Sequence, residues 1–241
     1  MKTIKLIVEY DGTEFSGWQL QPERRTVQGE IESALESLTG EQIRVVGSGR
    51  TDAGVHALGQ VVSFRSNRDL PVSAFRDGLN SYLPDDVRVL SAEIVSDSFD
   101  ARRDAIRRTY RYIFSKRERV IGRNYSWYPG SRLDLRKLKR VSRNLLGEKD
   151  FSSFCKNDDD CTTRVFTIKW REMEEEIHFE ISAVRFLHNM IRIILGTLLE
   201  VNRGRITPKR FKEIIDYRDR TMAGPTIPPH GLYLLRVEYN K

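Results

Sequence analysis

The run GSGRTDAGVHALGQ, residues 47–60, carries the side chains best suited to chemistry in this chain. Asp52 supplies a carboxylate, and Arg50 lies two positions before it. An ionised carboxylate beside a guanidinium is held in its charged, nucleophilic form. His56, four positions after Asp52, is a rival candidate as a general base. We therefore predict that Asp52 is a catalytic carboxylate.

Both Asp52 and His56 also have a simpler interpretation. An aspartate beside Ala-Gly is commonly a turn residue that bonds its own backbone, and a histidine near a loop is commonly a hydrogen-bonding group. A phosphate-cradling loop is excluded, because the run lacks GK[ST] and Asp52 stands at the last glycine of G-x-G-x-x-G. The glycines permit sharp turns and a close approach of another backbone. The run therefore predicts a loop that contacts a bulky ligand and not a nucleotide cofactor.

The charge of the chain favours a polyanionic partner. It has 41 basic and 34 acidic residues, a formal net charge of +7, and arginine supplies 30 of the basic residues. Arginine binds phosphate bidentately and stacks on bases, which favours RNA as the partner. The basic residues form two clusters: Arg102, Arg103, Arg107, Arg108 and Arg111, and Arg136, Lys137, Lys139, Arg140 and Arg143. The alternative is that these clusters are solvated faces of helices and strands.

The sequence predicts no membrane segment, disulfide or metal site. The most apolar run, MIRIILGTLLEV, contains Arg192 and Glu200 and is shorter than the ~18 residues of a membrane span. Cys155 and Cys161, with four scattered histidines, lack zinc-ligand spacing and form no disulfide framework. We expect reduced thiols, no metal and a cytoplasmic protein, with the acidic run Asp158–Asp160 as solvated surface.

Apolar periodicity predicts the order βαββαβ for the first half of the chain. The predicted elements are a strand at 3–9, a helix at 27–38 ended by Gly40, strands at 42–47 and 58–65, a helix capped by Ser73, and a strand at 87–95. This order is typical of a ferredoxin-like unit.

The second half shows a similar order. The predicted elements are the strand RRTYRYIF, a helix from Asp134 to Leu146 ended by Gly147, the strands VFTIKW and IHFEIS, a helix at 187–200, a short helix opened by Thr207 and Pro208, and the strand GLYLLRVEY. We therefore predict an α+β fold of two ferredoxin-like halves, 1–104 and 105–241, with a central cleft between them.

Six segments in chain order resemble the tRNA pseudouridine synthase A family. They are YDGTEFSGWQLQ, TVQGEIESAL, GSGRTDAGVHALGQVVSF, RRTYRYIF, FLHNMIRIILGTLLEV and GLYLLRVEY. The similarity extends over nearly the whole chain, and GRTDAGVHA is its most specific part. The resemblance implies the pseudouridine synthase fold.

The resemblance also implies an activity. It implies that uridines at positions 38, 39 and 40 of the tRNA anticodon stem-loop are isomerised to pseudouridine by a homodimer without cofactor or metal. The catalytic aspartate falls on Asp52, and the arginine that turns the base out of the helix falls on Arg50. The active-site tyrosine falls on Tyr110, the basic partner of the aspartate on Arg192, and the apolar residue beside the base on Leu232.

These assignments fit the chemistry of the reaction. The bond from uracil N1 to the ribose breaks, the base rotates, and a bond to C5 forms. A carboxylate can attack ribose C1′, attack base C6, or assist elimination, while Arg192 keeps Asp52 ionised. Tyr110 can stack on the flipped uracil or help to remove the C5 proton, and Leu232 excludes water. Tyr110 and Leu232 could equally be core residues, and Arg192 an exposed helix arginine.

Flipping a base from a stem costs a few kcal/mol, which an inserted Arg50 can offset. The sequence departs from the usual family pattern at Lys149, Arg103 and Asn202, none of which is an assigned site residue.

Two rival functions stay open from the residues alone. One is a non-catalytic protein that binds structured RNA, although no segment matches the RNP1 pattern. The other is a glycoside hydrolase-like enzyme that pairs Asp52 with Asp11.

Overall fold

The computed structural model describes residues 1–156 and 160–240, which form a mixed α+β chain. Asp158 and Asp159, part of the predicted acidic surface, lie outside the described residues. The chain divides into two compact units. The first unit comprises Met1–Ile106 and residues 233–240, and the second comprises Arg107–Leu232.

The first unit is a sheet with helices on one face. Its strands are β1 (Lys2–Tyr10), β2 (Val46–Gly47), β3 (His56–Ser66), β4 (Val87–Val95) and most of β9 (Leu232–Tyr239), and its helices are α1 (Val27–Thr39) and α2 (Leu79–Tyr82). The strand order is β4-β1-β3-β9, with β2 on β3. Both β4 and β3 run antiparallel to β1, and β9 runs parallel to β3.

Local sequence explains the main elements of this unit. Ile4, Leu6 and Val8 alternate along β1 and are almost fully buried, as expected for a strand with one covered face. Thr26 caps α1 by accepting a hydrogen bond from the backbone N–H of Gly29. Gly40 ends the helix with φ of 72°, as predicted.

The second unit is an antiparallel sheet with three helices. Its strands are β5 (Ala105–Ser115), β6 (Gly147–Asp150), β7 (Thr162–Glu172) and β8 (Glu176–Ala183), and its helices are α3 (Leu135–Ser142), α4 (Met190–Asn202) and α5 (Pro208–Tyr217). The strand order is β5-β8-β7-β6. Tyr112, Phe114, Trp170 and Phe179 form a connected aromatic core.

One predicted helix cap and two predicted helix boundaries in the chain are wrong, each for a local reason. A π-helical segment, Ala74–Gly78, follows Ser73 and continues into α2, but the Ser73 backbone is itself helical and its side chain makes no capping bond. The helix near 187 begins at Met190, because Asn189 has φ of 60° and breaks the helical path. The helix predicted to Leu146 ends at Ser142 and continues only as a 3₁₀ turn, Arg143–Leu145.

The strand predicted at 42–47 is also too long, since only Val46 and Gly47 pair with β3. The backbone N–H of Val45 instead donates to Glu32 Oε1 at 3.1 Å, so a side chain of α1 takes the place of a strand partner. The short strand β6 was not predicted.

The prediction of reduced thiols is wrong. Cys155 and Cys161 are joined in a disulfide across six positions of sequence. The backbone N–H of Phe151 donates to the carbonyl of Cys161 at 2.8 Å, which brings the two ends of this turn together. A short-range pairing of this kind has no spacing signature in a sequence with only two cysteines.

Candidate active site

The loop that carries Asp52 leaves β2 and enters β3, and its start is held by Gln60 on β3. Ser48 Oγ donates to Gln60 Oε1 at 2.6 Å, and Gln60 Nε2 donates to the carbonyl of Gly49 at 2.8 Å. The side chain of Gln60 is fully buried. Because a buried amide must satisfy its donors and acceptors, these bonds fix the loop entry against the adjoining strand.

The middle of the loop is held through Thr51. Its Oγ1 lies 2.7 Å from the hydroxyl of Tyr10, and its carbonyl accepts from the backbone N–H of Trp18 at 3.0 Å. Burial raises the pKa of the Tyr10 phenol well above its usual range, against a smaller opposing effect of its hydrogen bonds. The phenol therefore remains neutral and keeps this contact at any physiological pH.

The segment of residues 11–20 lies directly against the Asp52 loop, and two glycines permit this approach. A Cβ at Gly12 would lie 2.1 Å from the carbonyl oxygen of Val55. Gly17 has φ of 97°, and a Cβ there would lie 2.8 Å from the carbonyl oxygen of Thr51. The loop backbone is thus packed between Gln60 on one side and this segment on the other.

The charged residues of the loop lie outside these anchors. Arg50 is exposed and Asp52 is half-buried. The backbone carbonyl of Asp52 accepts from the N–H of Val55 at 3.1 Å, so the turn interpretation holds for its backbone. A fixed backbone that leaves charged side chains partly accessible is the arrangement a catalytic carboxylate requires.

His56 and Asp11, the residues of the rival interpretations, belong to a neighbouring turn. The backbone N–H of Gly12 donates to His56 Nδ1 at 3.0 Å, and Asp11 Oδ1 lies 3.1 Å from the same nitrogen. One ring nitrogen cannot both accept a hydrogen bond from Gly12 and donate one to Asp11. Because the backbone N–H of Gly12 can only donate, we assign Nδ1 of His56 as the acceptor of this bond. Asp11 Oδ1 also accepts from the N–H and hydroxyl of Thr13. These contacts favour structural roles for both side chains.

Tyr110 and Leu232 of the second unit are both buried. Tyr110 lies on β5, and its ring packs edge to face against Phe186 with centroids 5.0 Å apart. Leu232 begins β9 and is 5% exposed. This burial agrees with a core role and equally with the wall of an apolar pocket.

Arg192 lies in the first turn of α4 and is held on two sides. Its Nε donates to the carbonyl of Ile227 at 2.7 Å, and its Nη1 donates to Asn189 Oδ1 at 2.7 Å. The residue is half-buried, so it is not the freely exposed helix arginine of the alternative interpretation. Two charge-assisted bonds to one planar guanidinium fix its orientation.

The segment of residues 224–231 supplies one of these acceptors and packs tightly on α4. A Cβ at Gly196 would lie 1.7 Å from the carbonyl oxygen of Pro225, so only glycine permits this crossing. The N–H of Gly224 donates to Thr197 Oγ1 at 2.9 Å, and the hydroxyl of Tyr112 donates to the carbonyl of Pro228 at 2.8 Å. Burial raises the pKa of Tyr112, partly opposed by the charge of Arg192. Its hydroxyl therefore stays protonated as the donor.

Several residues of this framework were not predicted from the sequence, namely Tyr10, Gly12, Gly17, Gln60, Asn189, Gly196 and the segment 224–231. The sequence signal that could have indicated part of this framework is the placement of single glycines in the segments around 12–17, 196 and 224. A glycine within a helix, such as Gly196, commonly marks a close backbone approach.

The described residues contain no cluster of three or more histidine, cysteine or acidic side chains that could hold a metal ion. Among the helices within residues 1–156 and 160–240, none combines the length and apolarity that crossing a membrane requires.

The fold and the Asp52 loop define an α+β protein with a positioned carboxylate. A family profile described as tRNA pseudouridine synthase matches residues 6–104 and 141–240. A protein of Caldicellulosiruptor bescii named tRNA pseudouridine synthase A is 43% identical over 99% of this chain and 100% of its own length. Proteins of the same name from Bacillus pumilus and Bacillus subtilis are 43% and 41% identical, each over 98% of this chain and 99% of their length.

The chain belongs to the tRNA pseudouridine synthase family. It is therefore an isomerase that converts uridine in tRNA to pseudouridine. This assignment favours the enzyme over a non-catalytic RNA-binding protein.

Proposed function

We propose that this enzyme converts uridines at positions 38, 39 and 40 of the tRNA anticodon stem-loop, with Asp52 as the catalytic carboxylate. The observation that supports the role of Asp52 most strongly is the anchoring of its loop. Gln60, Tyr10 and Trp18 bond the loop at several points, while Asp52 itself remains half-buried. A reactive group held by surrounding structure needs little reorganisation during the reaction.

The reaction requires a carboxylate and no exchange of atoms with a cofactor. The N1–C1′ bond of uridine breaks, a C5–C1′ bond forms, and the proton lost from C5 is balanced by one gained at N1. The product therefore has the same mass as the substrate. We propose that Asp52 drives this exchange and that neither a cofactor nor a metal ion takes part.

We assign supporting roles to four residues. Arg50 is exposed on the same loop, and we propose that it enters the stem as the target base turns out. Arg192 stabilises the charge of Asp52, and the fixed orientation of its guanidinium supports this role. Tyr110 stacks on the flipped uracil, and Leu232 excludes water from the base.

The family resemblance supports three further proposals. The enzyme acts as a homodimer, and it acts in the cytoplasm, where tRNA is modified. Its first half, residues 1–104, carries the catalytic loop, and its second half, residues 105–241, carries Tyr110, Arg192 and Leu232.

Mapping of pseudouridine in tRNA tests the choice of positions. Total tRNA is compared between cells with and without this enzyme, using a reagent that marks pseudouridine chemically. We expect marks at positions 38, 39 and 40 that vanish without the enzyme and return with the wild-type gene. Marks that vanish only at other positions would contradict the proposed target while leaving the family assignment intact.

A further inference from the structure

Helix α3 and the turn that follows it carry a stripe of four cations on one face. Arg136, Lys139, Arg140 and Arg143 are spaced at i, i+3, i+4 and i+7, the spacing of one helical face. All four side chains are exposed. The opposite face is buried through Leu138, Val141 and Leu145. We call these four cations the α3 stripe.

No carboxylate forms an ion pair with a cation of the α3 stripe within the described residues, although the charge of Arg136 contributes to the lowered pKa of Asp134 at the start of the helix. The helix sequence, LRKLKRVS, contains no acidic residue. The charge of Lys139 contributes to the lowered pKa of Glu172, but the Glu172 carboxylate already bonds the ammonium of Lys116 at 2.9 Å. Many other cations of the chain are paired, as Arg76 is with Asp77 at 2.8 Å. The stripe therefore carries positive charge that neighbouring carboxylates offset only in part.

The stability of the helix explains only part of this charge pattern. Lys139 and Arg140 lie in the last turn of α3, where the helix dipole favours a cation. Arg136 lies in the first turn, where the dipole disfavours one, and like charges four residues apart, such as Arg136 and Arg140, repel one another on a helix surface. The part of the pattern that opposes local stability indicates an external anion.

The stripe is firmly attached to the second unit. Asn202, at the end of α4, accepts from the N–H of Asp134 at 2.8 Å and donates to the carbonyl of Arg132 at 3.0 Å. Asp134 in turn caps α3 by accepting from the N–H of Lys137 at 3.0 Å. Trp170 Nε1 donates to Ser142 Oγ at 3.2 Å on the buried side. The cations are thus presented from a fixed helix.

We propose that the α3 stripe binds the phosphate backbone of the tRNA substrate, an inference that rests on the enzyme's action on tRNA. Seven helical steps extend the stripe over about 10 Å. A nucleic-acid duplex carries roughly one negative charge per 1.7 Å of axis when both strands are counted, so this length of duplex carries enough phosphates for the four cations. Contacts to the backbone add affinity without reading sequence. The stripe therefore strengthens binding and leaves the chemical step unchanged.

The salt dependence of tRNA binding tests this proposal. The variant Arg136→Ala/Arg140→Ala is compared with Arg76→Ala/Arg88→Ala, which removes the same charge from arginines that already have acidic partners. The measurement is Kd for full-length tRNA over a range of KCl. We expect the slope of log Kd against log salt to fall by about 2 in the stripe variant, about 1 per cation, and little in the control. Equal slopes in the two variants would overturn the proposal.

Three further measurements separate a role of the stripe in tRNA binding from the proposed target positions and from a role at a membrane surface. Arg136→Lys/Arg140→Lys retains the charge and is expected to keep the wild-type slope; a loss as large as with alanine would overturn an electrostatic role. Turnover at saturating tRNA should be unchanged in the alanine variant, with pseudouridine at the wild-type positions. If the alanine variant forms pseudouridine at the wild-type positions and its salt slope is unaltered, the role of the α3 stripe in binding is refuted, while the proposed target positions stand. Stripe-dependent binding to phosphatidylserine vesicles, with unaltered tRNA binding, would assign the stripe to a membrane surface and overturn the proposal.

Discussion

Two glycine-dependent crossings position the proposed catalytic groups, and they differ in what they hold. In the first unit, residues 11–20 cross the Asp52 loop at Gly12 and Gly17, and hydrogen bonds hold the loop backbone and the Thr51 side chain. In the second unit, residues 224–231 cross α4 at Gly196, and a carbonyl of this segment bonds the guanidinium of Arg192 itself. The hydrogen bonds of the first crossing therefore act on the conformation of the Asp52 loop, whereas those of the second act directly on the Arg192 side chain.

The largest expected effect is the loss of either crossing when a methyl group is added. In Gly12→Ala and Gly196→Ala the new Cβ would lie 2.1 Å and 1.7 Å from a backbone oxygen, so the backbones must separate. We expect each variant to lose about 3 kcal/mol or more of unfolding free energy, measured by urea denaturation. Gly204→Ala is the matched control, because it has open space around it and only a positive φ of 78°. It should lose about 1 kcal/mol. Equal losses in all three variants would contradict the importance of the crossings.

A smaller effect is expected where only the orientation of Arg192 is changed. Asn189→Gly keeps the positive φ of residue 189 but removes the acceptor of Arg192 Nη1. Because a charge-assisted bond contributes about 1.5–3 kcal/mol, we expect a fall in kcat on the order of tenfold or more with little change in KM.

Single-turnover kinetics with saturating enzyme measure this effect. Asn189→Asp is the matched control, since it retains an oxygen acceptor and tolerates the same backbone conformation. It should keep most of the activity. An aspartate variant as slow as the glycine variant would show that the bond to Arg192 does not matter.

The smallest expected effect is on the pH dependence of the unfolding free energy, which the two buried tyrosines that support the crossings influence. Burial raises the pKa of both Tyr10 and Tyr112 above that of an exposed phenol. Below about pH 10 both phenols are neutral in the folded and unfolded chain. Above it the unfolded chain ionises first, so the stability supplied by each neutral phenol is lost as the pH rises.

Tyr10→Phe and Tyr112→Phe remove this dependence one residue at a time. At pH 8 each variant should be about 1 kcal/mol less stable than the wild type, because Thr51 and Pro228 lose a hydrogen-bond partner. By pH 11 this deficit should shrink by about 1 kcal/mol for each tyrosine. Urea denaturation at the two pH values measures the difference. A deficit that grows with pH would reverse the sign and contradict the burial of a neutral phenol.

Much of the fold follows from local patterns in the sequence. The alternation of β1, the cap at Thr26 and the stop at Gly40 each have a nearby chemical signal. Thr207 and Pro208 likewise open α5 as predicted, with the threonine side chain accepting from the N–H of Arg210. These elements could be predicted because the residues that define them are adjacent in sequence.

The remaining features depend on contacts between distant residues. The shortness of β2 results from Glu32, which lies on α1 and bonds the backbone of Val45. The approach of Gly12 to Val55 joins residues 43 positions apart, and that of Gly196 to Pro225 joins residues 29 positions apart. The motif around Asp52 predicted where the carboxylate lies, but not the support that Tyr10 and Gln60 give to its loop. Such tertiary support has no local signature.

The most direct test of the account is the activity of Asp52→Asn, which preserves the shape of the side chain but removes its charge. The measurement pairs pseudouridine formation in purified tRNA with the Kd for the same tRNA. We expect kcat to fall at least about 10³-fold, with Kd within about twofold of the wild type. An asparagine variant that forms pseudouridine at the wild-type rate, or that loses tRNA binding in proportion to activity, would contradict the catalytic role of Asp52.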